Sequence, residues 1–378
     1  MNATNADPIY LDNNATTPLL PAVWEAMRPY ALDHSGNPAS SHHAGRRARQ
    51  ALEDARERIA QLLDAQGEDV LFTSGATEAN NLAIFGLAGD APGHLVSSPI
   101  EHPSVLEPIE QLVAGGFAQT RLAVDRAGIV DSCRESVGVD TRLVAVMLAN
   151  HETGALQPIE KLADEVAGRA AFHCDAAAAA GKITVSFHRL GVTSLTISAH
   201  KFHGPKGIGA LVVKKDAKLR PQLWGGHQQH GKRPGTEPVP LAVGMAAALE
   251  LALRDLHTNT RKILELRDLF LARLGAEAEP VVLNGPAAGG IPHTVNISFP
   301  GCASDVLLMN LDLAGVACST GSACSSGSLL PSPVLRAMGV PDGVLRSALR
   351  FSFSPLLSAA AIEDAASRII KAVKRLRQ

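Results

Sequence analysis

The amino-acid sequence predicts an α/β fold that has a mostly parallel sheet and a second, smaller α+β domain. Short all-apolar runs alternate with amphipathic helical segments, which is typical of a parallel sheet covered by helices on both faces. A long helical pattern from about residue 240 to 274 leads away from that sheet. The chain has 378 residues, enough for about two domains.

Each predicted strand is a short run of apolar residues, and each predicted helix repeats its apolar residues every three or four positions. The segments are, in order, DVLFT, a helix from about Thr77, HLVSS, a helix through VLEPIEQLV, QTRLAV, RLVAVMLA, a helix in PIEKLADEVAG, AFHCDA, SLTIS and GALVVKK. We predict a large domain over residues 16–258. Residues 1–15 and 259–378 form the predicted small domain, which includes TVNISFP, the loop SACSSGSLLPSP and a terminal helix.

Composition argues against several classes of partner. A formal net charge of -2 gives no basic surface for nucleic acid, and the basic run KAVKRLRQ is interpreted as the exposed face of a last helix. No basic segment precedes an apolar one at the N-terminus, and no eighteen apolar residues run together, so we expect a cytoplasmic protein. Charged residues make up only 19%, which favours an oligomer with buried interfaces.

Neither the cysteines nor the histidines have the spacing of a metal site. Five cysteines are an odd number without a CxxC pair, which argues against a disulfide framework and a structural zinc. HKFH and GGHQQH each contain two histidines in glycine-rich loops without further ligands nearby. We therefore expect no bound metal.

Polar side chains follow several predicted strands, at the edge of an open α/β sheet where ligands bind. In SGATEANN, the backbone N–H groups of Gly75, Ala76 and Thr77 could hold an anion at a helix N-terminus. An ordinary helix cap explains that motif equally well. Three more strand ends are followed by His102, Asn150 and Asp175.

A lysine follows the strand SLTIS, in the stretch SAHKFHGPKG. Alone, Lys201 would be interpreted as a solvated strand-end lysine, and Asp175 as a turn residue. Together with a phosphate site they meet the needs of pyridoxal 5'-phosphate: a lysine for the Schiff base, a carboxylate for the pyridine nitrogen and a helix N-terminus for the phosphate. The combination predicts that cofactor.

A series of motifs runs through nearly the whole chain. They are, in order, YLDNNATTP, GNPASSHHAGRRA, FTSGATEANNLAI, EHPSVLEP, NHETGALQPIE, SAHKFHGPKGIGAL, GGHQQHGKRPGTE, SGSACSSGSLLPSPVLRAMG and LRFSFS. In this order they closely resemble the cysteine desulfurases of the nitrogen-fixation and iron-sulfur-cluster type. Such enzymes belong to the class V group of fold type I pyridoxal-phosphate enzymes, with a seven-stranded sheet in the large domain. They are homodimers that convert L-cysteine to L-alanine and carry the sulfur as a persulfide.

The resemblance implies a role for each matching residue. Lys201 would bind the cofactor covalently, Lys206 would be a loop residue, and His102 would stack on the cofactor ring. The positions that match the phosphate site are Ala76, Thr77, Ser198 and His200, with Thr236 reaching the phosphate of the neighbouring subunit. The positions near the cofactor hydroxyl or the substrate are Asn150, Arg350, Asn13 and Asn37.

Cys324 is the candidate for sulfur transfer. It lies between SGSA and SSGS, and such a small, polar loop suits a thiolate that must approach a bound substrate. The resemblance implies that it carries the persulfide to an acceptor, such as an iron-sulfur cluster scaffold or a tRNA-thiolation relay. The other cysteines are interpreted as small buried apolar residues because they lie in or beside apolar runs: Cys133, Cys174, Cys302 and Cys318.

Three stretches depart from the family pattern. Ala178 stands where a DAVQA-like stretch has the glutamine that donates to the ring hydroxyl, Pro333 replaces the histidine of a PSHVL-like segment, and SPLLS replaces a more polar stretch. Two alternative functions stay open. A selenocysteine lyase or another class V aminotransferase would keep the lysine and the aspartate without an attacking thiol. A non-catalytic scaffold is the other, although intact Lys201, Asp175 and Cys324 count against it.

Overall fold

The computed structural model describes residues 8–321 and 331–378, so Cys324 lies outside the described residues. The strands are β1 (Ile9–Tyr10), β2 (Val70–Thr73), β3 (His94–Ser97), β4 (Ala118–Arg121), β5 (Thr141–Ala145), β6 (Ala171–Asp175), β7 (Ser194–Ser198), β8 (Gly209–Val213), β9 (Val282–Asn284), β10 (Thr294–Ser298), β11 (Val316–Ala317) and β12 (Ala348–Ser352). The helices are α1 (Pro21–Leu32), α2 (His43–Leu62), α3 (Ala76–Ala88), α4 (Pro103–Ala114), α5 (Ile159–Val166), α6 (Phe187–Leu190), α7 (Val239–Arg254), α8 (Leu256–Glu277), α9 (Ser304–Leu313), α10 (Pro333–Ala337), α11 (Asp342–Leu345) and α12 (Ala359–Leu376).

The predicted α/β class and its mostly parallel seven-stranded sheet are confirmed. The strand order is β2-β8-β7-β6-β5-β3-β4, in which only β8 runs antiparallel to its neighbours. Since β2 and β7 are both antiparallel to β8, their carboxyl ends lie at the same edge as those of β3, β5 and β6. This edge positions the residues that the sequence singles out.

Helices cover both faces of the large sheet. Phe72 and Val96 pack into a core with α2 and α7, whereas the preceding residues, Leu71 and Leu95, pack into two smaller clusters with α3 and α4. Successive strand residues point to opposite faces, so apolar residues at consecutive positions bury both sides. The predicted strand RLVAVMLA ends at Ala145, which is earlier than its apolar run suggests.

A second core surrounds the three-stranded antiparallel sheet β9-β10-β12 together with α8, α9 and α12. In this core, Phe351 packs against both Phe270 and Phe299. Strand β1 pairs with β11 and contributes Ile9 to this core. The domain boundaries at residues 15 and 258 stay a prediction. Across the described ranges, no helix is long and apolar enough to cross a membrane.

Candidate active site

A cavity of about 460 Å³ lies at the carboxyl edge of the large sheet. Many of the predicted site residues line it, although they come from separate strands and from both cores. The predicted residues that it brings together are Ala76, Thr77, His102, Asp175, Ser198, His200, Lys201 and Arg350. Within the described part of the chain, no group of three or more His, Cys, Asp or Glu side chains is arranged to hold a metal ion.

Lys201 projects into the cavity from the turn that ends β7. Residues Ala199–Lys201 form one 3₁₀ turn, in which the Ala199 carbonyl accepts from the N–H groups of Phe202 and Gly204. The Lys201 Nζ donates to the backbone carbonyls of Asn14 and Ala15. A fixed turn and two carbonyl acceptors thus hold the amine at the cavity wall.

Asp175, the last residue of β6, is buried and held by two donors. Its Oδ1 accepts from the Ala177 N–H and its Oδ2 from Asn80 Nδ2, both at 2.9 Å. The other Asn80 amide hydrogen goes to Ser104 Oγ at 2.9 Å, and Asn80 Oδ1 lies 3.0 Å from His173 Nε2. Burial lowers the pKa of His173 to about 4, so this imidazole is neutral and donates from Nε2. The network keeps the carboxylate oriented toward the cavity.

His102 is the N-cap residue of α4 and joins the same network. Its Nδ1 accepts from the Ser104 N–H at 3.1 Å and lies 2.8 Å from Ser104 Oγ. Burial lowers the pKa of His102, although the charge of Asp175 opposes that shift. Because Nδ1 is the acceptor, the neutral ring carries its proton on Nε2.

The beginning of α3 and the end of β7 form a site for an anion. Ala76 and Thr77 lie in the first turn of α3, whose amides and dipole favour negative charge. Ser198 Oγ is buried and has no hydrogen-bond partner among the described residues, although Ser198 lines the cavity. Burial lowers the pKa of His200 to about 4, so its ring is a neutral donor or acceptor. An orphaned hydroxyl beside a helix N-terminus fits a bound phosphate, and with Asp175 and Lys201 the residues fit pyridoxal 5'-phosphate.

Arg350 reaches the cavity from β12 in the second core. Its side chain is buried, and its Nη2 lies 2.7 Å from Asp12 Oδ1 while its Nη1 donates to the His151 carbonyl at 3.2 Å. The Nε atom is buried without a partner among the described residues. A guanidinium in this position can bind the carboxylate of a ligand. The ligand would take the Nε hydrogen and share the Nη2 donor with Asp12.

Four other predicted site residues do not line the cavity. The Asn150 side chain builds its own turn, since Oδ1 accepts from the N–H groups of Glu152 and Thr153 and Nδ2 donates to the Ile100 carbonyl. Asn37 is exposed and its Oδ1 caps the Ala39 N–H. Thr236 is also exposed, and Asn13 lies in a neighbouring cavity. Their predicted ligand contacts stay predictions.

The described cysteines are not placed for sulfur chemistry. Cys133, Cys174 and Cys302 are buried, and burial raises the pKa of the Cys133 thiol to about 11. Cys318, predicted to be buried, is only partly so, yet burial and the nearby Asp12 charge raise its pKa as well. A thiol with a raised pKa is a poor nucleophile at neutral pH.

The described residues on both sides of the segment 322–330 lie next to Glu152, which follows the cavity-lining His151. Ser332 Oγ donates to Glu152 Oε2 at 2.6 Å, and a methyl group added to Gly321 would lie 3.3 Å from the same oxygen. Ser319 pairs through its backbone with Arg350. The segment that contains Cys324 therefore starts and ends next to the candidate active site.

The sequence patterns did not predict several residues of the site. Asn80 and Ser104 connect Asp175 to His102, and Asn14 holds Lys201 through its backbone carbonyl. Asn80 could have been identified as a polar residue on the otherwise apolar, buried face of α3. Glu101 was not predicted either. It is buried next to His102, but only the histidine of the EHPS motif was predicted as a site residue.

Glu101 should make stability fall as pH rises. Burial raises its pKa to about 8, and although Ser98 and the Met147 N–H donate to Oε1, its Oε2 has no partner among the described residues. The folded protein therefore holds a proton that the unfolded chain loses near pH 4.5. Between these values the wild type should lose up to about 1.4 kcal/mol of unfolding free energy per pH unit.

The Glu101→Gln variant removes this proton and keeps the shape of the side chain. In urea unfolding at pH 5, 6.5 and 8, we expect the variant to lose less stability than the wild type toward high pH. Equal pH slopes for the two proteins would show that Glu101 is already ionised in the folded state.

Three comparisons with known proteins agree with this geometry. The family model described as aminotransferase class-V matches residues 9–364. A protein named cysteine desulfurase IscS from Dictyoglomus turgidum is 44% identical over 351 residues, which cover 91% of this chain and 89% of that protein. A solved structure named NIFS-like protein superposes with a TM-score of 0.91 at 32% identity and covers 97% of this chain and 100% of that one. Another, described as SspA in complex with cysteine, gives a TM-score of 0.82 at 33% identity and covers 92% of this chain and 99% of that one.

Proposed function

Because the chain belongs to the class V aminotransferase family and is a pyridoxal-phosphate-dependent cysteine desulfurase, we propose that Lys201, Asp175 and His102 form its catalytic centre and that Cys324 carries the sulfur. The observation that supports this most strongly is the cavity in which a strand-end lysine, a buried carboxylate and a helix N-terminus converge. These are the groups that this cofactor requires.

We assign each part of the cofactor to residues that have hydrogen-bond donors or acceptors still available. Ser198, His200 and the first turn of α3 would hold the phosphate, and Asp175 would hold the protonated pyridine nitrogen. Lys201 would provide the amine that binds the cofactor covalently. Asp175 already accepts from Asn80 and Ala177, so it is locked in one orientation and keeps lone pairs for the ring.

Lys201 and His102 move protons in this assignment. When bound, the cofactor accepts the electron pair that is released as the substrate Cα–H bond breaks. The released Lys201 amine takes the Cα proton, and the Asn14 and Ala15 carbonyls hold the resulting ammonium at the wall. Neutral His102 offers its Nε2–H to the substrate side of the cavity, since Ser104 occupies Nδ1.

Substrate orientation is assigned to Arg350. The substrate carboxylate takes the Nε hydrogen, which has no partner among the described residues, and shares Nη2 with Asp12. Binding a carboxylate at this buried guanidinium satisfies a polar group that otherwise carries a desolvation cost of about 1–3 kcal/mol.

Cys324 attacks the substrate sulfur in this assignment. The carbon–sulfur bond breaks, a persulfide forms on Cys324, and the remaining three-carbon fragment is protonated and released as alanine. Cys324 is three positions after Gly321, and three steps of fully extended chain span at most about 11 Å. The contacts of both flanks with Glu152 support the proposal that the thiol can reach the cavity.

The activity is tested with purified protein, cofactor and L-cysteine. We expect alanine and sulfide to form in equal amounts when a thiol reductant is present, and no pyruvate or keto-acid product. L-selenocysteine as a competing substrate separates a desulfurase from a selenocysteine lyase, since a lyase needs no attacking thiol. Alanine formation that depends on an added keto acid would instead indicate a transaminase.

The alanine at position 178 should leave the cofactor's ring hydroxyl short of one donor. Ala178 lines the cavity, and the Asn150 Nδ2 donates to the Ile100 carbonyl in this structure. The prediction holds unless Asn150 or a water molecule supplies the missing donor. A hydrogen bond to a charged group contributes about 1.5–3 kcal/mol, which corresponds to about 1–2 pH units. Ala178→Gln should therefore move the visible-absorbance titration of the bound cofactor to lower pH, since the new donor stabilises the anionic oxygen. An unchanged titration curve would show that another donor already occupies the position.

The partners are assigned as a second copy of this chain and a sulfur acceptor. Exposed Thr236 lies away from the cavity, which fits a residue that completes the phosphate site of a neighbouring subunit.

The acceptor is a protein that takes the persulfide sulfur, such as an iron-sulfur cluster scaffold. The described cysteines are all free, in keeping with a cytoplasmic location. Equilibrium sedimentation tests the dimer, and capture of the persulfidated protein's partners tests the acceptor.

A further inference from the structure

A second cavity of about 490 Å³ adjoins the catalytic cavity. Lys201 lines both cavities, whereas Asp175 and His102 line only the first. Asn14, Ala15 and Thr16 line the first cavity, whereas Asn13 and Thr17 line the second, so this short segment separates them. The second cavity has apolar walls and a few polar groups. Its apolar walls include Leu20, Leu251, Ala252, Phe353 and Leu356.

Lys182 is the most unusual group in this cavity. Its side chain is only 5% exposed, and its Nζ donates to Asn14 Oδ1 at 2.9 Å. Among the described residues, no carboxylate oxygen lies within ion-pair distance of the Lys182 Nζ. The ion pairs of the described chain all involve other positively charged residues. A buried ammonium costs several kcal/mol unless an anion compensates it.

The surroundings increase the excess of positive charge. Burial, followed by the charges of Lys201 and Arg350, lowers the pKa of Lys182 to about 7. Arg254 and Asp255 also line the cavity but pair with each other. The titratable and charged groups that face Lys182 are Lys201, Arg350, His200, His203 and His293.

Two further polar atoms at this cavity have no partner. His293 is 6% exposed and its Nδ1 is unsatisfied among the described residues, and the same holds for Oδ1 of Asn13. Burial and the charge of Lys182 keep the pKa of His293 well below its usual range, so its ring is neutral. A neutral imidazole that carries its proton on Nδ1 is a hydrogen-bond donor, and such a donor beside an ammonium suits a carboxylate.

We propose that the second cavity binds a small monocarboxylate with an apolar body, with its carboxylate on Lys182 and its alkyl part against Leu251, Phe353 and Leu356. A free amino acid suits the cavity poorly, because its ammonium would approach Lys182 and the other positive groups without a carboxylate to pair with. The ligand is therefore distinct from the amino-acid substrate of the neighbouring cavity.

Butyrate and butyramide are matched probes, because they share a shape and differ in charge. In calorimetric titrations of the holoenzyme, butyrate should bind at about 10 mM or below, and butyramide at least about tenfold more weakly. Butyrate affinity should fall as pH rises through about 7, since Lys182 then loses its charge. No butyrate binding in this range, or equal affinity for the two probes, would overturn the proposal.

Two variants locate the bound probe. Lys182→Met should weaken butyrate binding by at least about tenfold, whereas Lys214→Met, at an exposed lysine, should leave it unchanged. Ala252→Phe fills the cavity without changing a charge and should abolish butyrate binding while L-cysteine turnover stays at the parent level. Parental butyrate affinity in Lys182→Met, or butyrate binding that survives Ala252→Phe, would place the ligand elsewhere and contradict the proposal.

Discussion

Replacing Lys201 with alanine should reduce alanine formation from L-cysteine by at least about a thousandfold, because the variant lacks both the covalent attachment and the base. Cofactor should still bind through the phosphate site and Asp175, since those contacts do not involve the lysine. Borohydride treatment and peptide mass mapping are the direct measurements. In the parent protein the reduced cofactor should be found on Lys201. In the variant no peptide should carry it, because cofactor that is bound non-covalently is lost when the protein is denatured and digested.

Lys206 provides the matched control, because it also lines the cavity and lies in the same loop. Lys206→Ala should keep covalent attachment at Lys201. If the reduced cofactor is found on Lys206, or if Lys201→Ala retains covalent cofactor, the assignment of the catalytic lysine is wrong.

Replacing Cys324 with serine should leave cofactor binding and the first spectral change with L-cysteine intact, but alanine formation should fall by at least about a hundredfold. A hydroxyl is a far weaker nucleophile toward sulfur than a thiol, which already has a few per cent thiolate at neutral pH. Stopped-flow absorbance and amino-acid analysis separate the two effects. Parental alanine formation in this variant would contradict the role of Cys324.

Cys318→Ser is the control for that experiment. Cys318 is partly buried next to the second core, and burial raises its pKa, so it should be inactive in sulfur transfer. We expect this variant to keep its turnover and to lose unfolding free energy. If Cys318→Ser instead loses turnover while it keeps its stability, the roles of the two cysteines have been exchanged.

The central part of the site could be predicted because parallel strands share an edge. Asp175 and Lys201 end β6 and follow β7, which are neighbours in the sheet, so reading the strand ends in sequence was enough to bring them together. His102 follows β3 through a short connection to α4 and reaches the same cavity. Strand ends carry this information because the sheet fixes their positions.

Residues in turns were harder to place. Asn13 and Asn14 are neighbours, yet they line different cavities, because they are the two central residues of a turn that is closed by the Ala15 N–H donating to the Asp12 carbonyl. Asn150 follows β5 as predicted, but its amide closes its own turn. No pattern in the sequence tells whether a turn asparagine serves the backbone or a ligand.

Buried ionisable residues were missed for a different reason. Lys182 follows a glycine in AAGKITV and Glu101 precedes a histidine in PIEHPS, and a single charged residue in such a connection is normally exposed. Lys182 contacts Asn14, which is 168 positions earlier in the chain, and sequence periodicity does not report such long-range contacts. Arg350 was identified through the family resemblance alone, since its strand belongs to the second core.

Trapping the persulfide tests the central claim most directly. The parent holoenzyme is mixed with L-cysteine without a reductant, alkylated at once and digested. Cys318 and Cys324 are joined by STGSA and fall on one peptide, so fragment-ion masses must locate the added sulfur within it. We predict one added sulfur on Cys324, in amounts that match the alanine released in the first turnover. Added sulfur on Cys318, or alanine release without any sulfur on Cys324, would contradict it.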